Sequence, residues 1–241
     1  WNVMERIDKL LANTGRWSRK EARELVRAGR VTSGGLRVEK PEEKCTPDSV
    51  AVDGEPLQLV RFQYLMMHKP AGLLSATEDK RQKTVLDLLP QHLRRMGLFP
   101  VGRLDKDTEG LLLLTNDGAL AHELLSPRHH VDKLYYAELE APITEEDCKA
   151  FAEGMTLTDG TKCLPAGLRP VPGKSAAFIT LREGKFHQVK RMLAQRGKPV
   201  TYLKRLEMGS LKLDEALQPG QWRALTAQEQ AMLTGEKDGK Q

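Results

Sequence analysis

Cysteine is scarce in this chain. Cys45, Cys148 and Cys163 are the only three in 241 residues. They are odd in number and far apart, which excludes a paired-cysteine zinc site and a disulfide framework. A reducing, cytoplasmic setting is the expectation. No apolar run approaches the roughly 20 residues that a membrane span requires. The opening residues show no secretory pattern, so no membrane partner is expected. Aromatics make up only 5% of the chain, so an aromatic at a meaningful position carries weight. Internal repeats and low-complexity tracts are lacking. Regular strand–helix alternation is lacking too, which argues against a doubly wound sheet and for an α+β fold. What is present is enough to bury a core: 39% hydrophobic and 29% charged residues.

The charge is unevenly spread. Net charge is +5. Residues 1–44 hold eleven Lys/Arg against seven acids, nearly the whole excess. Such asymmetry points to a polyanionic partner. In this region Ile7, Leu10 and Leu11 fall at helical spacing, with Gly15 to close the helix. Ser18 with Glu21 three residues on predicts a capping box for a second helix, with Ala22, Leu25 and Val26 inward and Gly29 as its stop. Arg19, Arg23 and Arg27 recur every four residues and share an outward face, with no acids matching them on that face. Lys20 and Arg16 flank that face and Arg30 follows it. A guanidinium row at this pitch suits successive phosphates. Short strands are expected at 30–32, 36–38 and 50–52, the first two joined by Ser33-Gly34-Gly35. Residues 6–11, 18–22 and 29–31 together resemble the small S-four-type RNA-binding module, although that family usually has Asn-Gly in the hairpin.

The densest chemistry lies at Gly102-Arg103-Leu104-Asp105-Lys106-Asp107-Thr108-Glu109-Gly110-Leu111. Apolar runs on either side, 98–101 and 111–114, read as buried strands. A carboxylate and a guanidinium in the turn between them are partly desolvated and close together. That is how a fold holds a reactive carboxylate ionised, and equally how it builds a structural ion pair. Composition alone leaves both readings open, and leaves Asp107 as a rival to Asp105. Further strands are expected at 62–67, 133–139, 175–181 and 200–213, and helices at 119–125, up to Gly154, 187–196 and 225–233.

The decad, continuing to Leu114-Thr115-Asn116-Asp117-Gly118, is similar to the central motif of pseudouridine synthases. Three more segments match that family in order: Lys69-Pro70-Ala71-Gly72, Lys133-Leu134-Tyr135, and residues 183–192 from Glu183 to Met192. One departure is His68, where the family commonly has Asn. The resemblance implies an RNA isomerase without cofactor or metal, built as an S-four-type module (4–48), a linker (49–61), a mixed and mainly antiparallel synthase domain (62–235) and a tail (236–241). It implies Asp105 as the catalytic carboxylate, acting as nucleophile or as stabiliser of a glycosyl cation. Lys190 is implied as the cation that keeps Asp105 charged, and Tyr135 as the ring that stacks on uracil. Arg103 is implied as a wedge or clamp for an extruded nucleotide, and Arg191 and Arg196 as phosphate contacts. Ser126-Pro127-Arg128-His129-His130 resembles the RsuA-type branch, which acts on small-subunit ribosomal RNA. The two histidines lack a local third ligand, so no metal is expected. The expected partner is ribosomal RNA or an immature small subunit, and the expected state is a monomer.

Overall fold

The computed structural model describes residues 4–57, 62–126 and 131–235. Arg128, His129 and His130 lie outside these residues. The chain divides into two compact units. One runs to Gln63 and adds Leu89–Phe99; the other holds Tyr64–Leu88 and the chain from Pro100 onward.

In the first unit, strand β1 (Glu5–Arg6) leads into helix α1 (Ile7–Asn13), which buries Ile7, Leu10 and Leu11. Helix α2 (Arg19–Arg27) begins with the expected capping box. Ser18 Oγ accepts from the Glu21 N–H, and Glu21 accepts from the Ser18 N–H. Gly29, at φ +72°, turns the chain out of the helix. Strands β2 (Val31–Ser33), β3 (Leu36–Arg37), β5 (Val50–Val52) and β6 (Glu55–Pro56) form a sheet in the order β3-β2-β5-β6, while β4 (Lys44–Cys45) pairs with β1. Residues in the stretch read as a linker, β5 and β6, thus complete this sheet. Helix α3 (Gln91–Arg94) also groups with this unit rather than with 62–235. Gly15, at φ +74°, lies so near the His92 carbonyl that a Cβ would sit 2.4 Å from it.

The second unit is built on strands β7 (Tyr64–Lys69), β8 (Phe99–Val101), β9 (Glu109–Thr115), β10 (Lys133–Leu139), β11 (Gly167–Pro170), β12 (Ala176–Leu181), β13 (Val200–Met208), β14 (Leu211–Lys212) and β15 (Trp222–Ala224). They run in the order β11-β12-β10-β13-β9-β7-β15, with β14 on β13 and β8 on β9. Every pairing whose register is recorded is antiparallel except β13 with β9, where Lys204 and Arg205 lie beside Glu109 and Gly110. The fold is α+β, as expected. Helices α4 (Gly118–Leu125), α5 (Glu145–Glu153), α6 (Gln188–Gln195) and α7 (Ala227–Thr234) accompany the sheet. Leu65 to Met67 and Leu111 to Leu114 are fully or almost fully buried in its centre, as expected of strands covered on both faces.

The structure corrects several boundaries. The strand expected at 62–67 runs on through His68 and Lys69, because these pair with Leu111 and Gly110. The stretch 200–213 is a hairpin, not one strand, because Gly209 turns at φ +57°. His187 is not helical but left-handed, at φ +48°, just before α6. Among the described residues no helix is long and apolar enough to cross a membrane.

Candidate active site

The loop from Gly102 to Thr108 joins β8 to β9 and is held at five points. Ser75 Oγ donates to the Leu104 carbonyl (2.8 Å) and accepts from the Leu104 N–H (3.1 Å). The Gly72 N–H donates to the Lys106 carbonyl (2.7 Å). Lys69, fully buried, points its Nζ at the carbonyls of Pro70, Lys106 and Thr108 (2.9, 3.0 and 2.9 Å). Arg205, also buried, donates from Nη2 to the Gly102 carbonyl (2.5 Å) and from Nε to the Leu111 carbonyl (2.9 Å). One guanidinium therefore bridges the two ends of the loop. Gly110 permits this, since a Cβ there would fall 2.2 Å from the Arg205 carbonyl oxygen.

That scaffold presents Asp105. Lys190, from α6, lies 3.1 Å from one Asp105 oxygen, and His187 Nε2 lies 3.4 Å from the other. Lys190 also donates to Asp107 at 2.5 Å. Asp107 is three-quarters exposed, whereas the Asp105 side chain is 27% exposed. Burial opposes the Lys190 charge, but hydrogen bonds to Asp107 and Asp105 outweigh it and hold the ammonium above the ordinary lysine range. The Lys190 hydrogen bond likewise holds the Asp107 carboxyl below its usual range. Burial pushes Lys69 down to about 8, despite the nearby carboxylates of Asp107, Asp105 and Glu109. Tyr202 donates to Glu109 (2.8 Å), and burial with that bond drives its phenol upward.

Two cavities meet here. The first is lined by Arg103, Asp105, Thr108, Tyr135, His187 and Lys190 among others. A register shift in β10 against β13 sets Tyr135 opposite Arg205. Tyr135, 9% exposed, also borders a second cavity of about 520 Å³, together with Arg103, Lys133, Lys185 and Arg205. Burial, with Arg205 nearby, lowers the Lys133 pKa. The Thr108 hydroxyl is buried and has no hydrogen-bond partner among the described residues.

The structure thus brings together Asp105, Tyr135, Lys190 and Arg103, which the sequence places up to 87 positions apart. Other expected contacts are already committed. Arg191 pairs with Asp159 and donates to the Phe186 carbonyl. Arg196 pairs with the nearly buried Asp147 at 2.8 Å, so its guanidinium is not free for phosphate. In the first unit Arg23 pairs with the buried Asp8 at 3.2 Å, and Arg30 makes a two-pronged pair with Asp53. The acid that meets the α2 row thus comes from another element, Asp8 of α1, and Arg30, beyond the helix, is met by Asp53. Arg16 lies over the Trp17 ring at 4.6 Å. Arg19, Lys20 and Arg27 remain exposed.

Sequence reasoning missed Ser75, Arg205 and His187 and saw Lys69 only as part of a turn. Lys69 closing an apolar run, and Arg205 on the inward face of a strand with Leu203, were the signals.

Comparison with known proteins agrees with this geometry. Residues 63–195 match the RNA pseudouridylate synthase family, and residues 5–51 match the S4 domain. The chain is 49% identical to YtzG, an uncharacterized RNA pseudouridine synthase of Bacillus subtilis (strain 168), over 95% of this chain and 98% of that protein. It is 42% identical to ribosomal small subunit pseudouridine synthase A of Pseudomonas aeruginosa, over 93% of this chain and 98% of that one. A crystal structure of a pseudouridylate synthase superposes with a TM-score of 0.68 at 34% identity, covering 95% of this chain and 99% of that chain. With an S4 domain preceding a sheet whose central loop carries the motif aspartate, the chain belongs to the RNA pseudouridylate synthase family of isomerases.

Proposed function

We propose that this protein converts one uridine of small-subunit ribosomal RNA to pseudouridine, with Asp105 as nucleophile. The observation that carries the reading is the loop that holds Asp105 between Lys190 and His187 at a cavity walled by Tyr135. In the reaction the bond from ribose C1′ to uracil N1 breaks and a bond from C1′ to C5 forms. The C5 proton is lost and N1 gains one, so the product is an isomer of the substrate. Lys190 sets its ammonium 3.1 Å from the Asp105 carboxylate, which is 27% exposed. Tyr135 stacks on the extruded uracil. Arg103, exposed at the rim of both cavities, clamps or replaces the extruded nucleotide. The S4 domain supplies phosphate contacts through Arg19, Lys20 and Arg27. The small-subunit assignment is supported by the likeness to ribosomal small subunit pseudouridine synthase A over almost the whole chain. The protein works as a cytoplasmic monomer on RNA or on an immature small subunit.

The test is to incubate the purified protein with immature small-subunit particles and map pseudouridine along the RNA. One new pseudouridine is expected, and none with Asp105→Asn. Modification that survives in Asp105→Asn removes the catalytic assignment. Modification confined to large-subunit RNA removes the substrate assignment.

A further inference from the structure

Phe186 is an unusual residue for its place. The residue is 75% exposed, a degree matched among the exposed large hydrophobics of the described residues only by Leu36. A single exposed phenylalanine is ordinary, but this one is backed by a second ring. The His187 imidazole lies flat against it, with centroids 3.8 Å apart and planes at 17°. His187 takes a left-handed backbone conformation that residues other than glycine adopt only at a cost. The Phe186 carbonyl is held by Arg191, which is itself held by Asp159. The inner ring of the stack reaches Asp105 and lines the catalytic cavity; the outer ring faces solvent. The neighbours on the same loop, Glu183, Gly184 and Lys185, are not apolar. Lys185, next to Phe186 in the chain, pairs with Glu183, and Lys190, one helical turn on, pairs with Asp105 and Asp107.

We propose that Phe186 and His187 form a stacking platform for the unpaired RNA base next to the target uridine. The proposal rests on the isomerase reading given above. Once the uridine swings into the cavity, its neighbour loses one stacking partner. The open face of Phe186, a ring's thickness from the catalytic aspartate's histidine contact, replaces it. Stacking on an aromatic accepts any base, so the platform adds affinity and fixes position without reading sequence.

The test compares the complete protein with Phe186→Ala, Phe186→Leu and Phe186→Trp in two assays. In the first, pseudouridine formation is followed against small-subunit RNA concentration. Ala and Leu should raise the half-saturating concentration on the order of tenfold, more than they lower the saturating rate, and Trp should restore it. In the second, a short single-stranded RNA carries one uridine with 2-aminopurine on either side. Its fluorescence should be quenched at one flank by the wild type and by Phe186→Trp, and not by Phe186→Ala or Phe186→Leu. The proposal is overturned if Phe186→Leu matches the wild type in both assays, which would mean plain apolar contact. It is also overturned if Phe186→Ala quenches as the wild type does. Absence of pseudouridine with every RNA would defeat the isomerase reading alone, since the fluorescence comparison needs no turnover.

Discussion

Lys69 shows how much one side chain can decide. It is fully buried, has no carboxylate within bonding distance among the described residues, and gives its three protons to three backbone carbonyls. Two of those carbonyls belong to the loop that bears Asp105. Replacement by methionine keeps the length and removes the donors: the Lys106 carbonyl keeps the Gly72 N–H, while those of Pro70 and Thr108 lose the ammonium, at about 1–3 kcal/mol for each buried group left unpaired. We expect Lys69→Met to lose most activity at pH 7 while still folding, measured by pseudouridine formation alongside circular dichroism. The pH dependence is distinctive. The folded pKa, about 8, lies below the ordinary value of 10.5. Between these values the unfolded chain binds more protons than the folded one, so raising the pH stabilises the native state. Wild-type stability relative to Lys69→Met should therefore increase from pH 8 to pH 10.5, by about 3 kcal/mol in total. Chemical denaturation at both ends of that window measures it; a flat difference would mean that Lys69 is not desolvated as described.

At the scale of elements, the decisive contact is the short parallel seam where β9 meets β13. Gly110, at φ +107°, lies where a Cβ would meet the Arg205 backbone at 2.2 Å. Gly197, at φ +70°, has nothing within 4 Å of its would-be Cβ. Gly110→Ala should therefore unfold the protein or abolish activity, whereas Gly197→Ala should cost only its backbone strain, about 1–2 kcal/mol. Thermal unfolding of the two variants side by side makes the comparison. Most elements were legible beforehand. The capping box at Ser18 announced its helix through side chains that satisfy nearby N–H groups. Residues 133–139 announced their strand by composition and flanking turns, and the structure starts and ends it at the same residues. What was not legible depends on distant partners. Lys69 continues a strand because Gly110 is beside it, and Asp8 meets Arg23 only once two helices pack. The motif positions of Asp105, Tyr135 and Lys190 were readable, but the Ser75, Lys69 and Arg205 supports were not, since backbone carbonyls leave no trace in a sequence.

At the scale of the whole molecule, charge is divided between two units with different tasks. Of the arginine row on α2, Arg23 is engaged by the buried Asp8, while Arg19 and Arg27 are exposed. Arg19→Ala with Arg27→Ala should weaken RNA binding and reduce the slope of log affinity against log salt by about 1.5, two phosphate contacts' worth. Arg23→Ala should instead lower stability, because it strips a partner from Asp8. Titrating RNA at several salt concentrations separates these outcomes; an unchanged slope in the double variant would leave that face merely solvated. The seam between β9 and β13 also has a consequence for synthesis. Asp105 leaves the ribosome early, but the arginine that ties off its loop is residue 205, and the lysine beside it is residue 190. A nascent chain halted before those positions holds Asp105 on a loop that Ser75, Gly72 and Lys69 can tie but that lacks Lys190 and Arg205. On the reading proposed above, the growing polypeptide stays catalytically silent until residue 205 has been made.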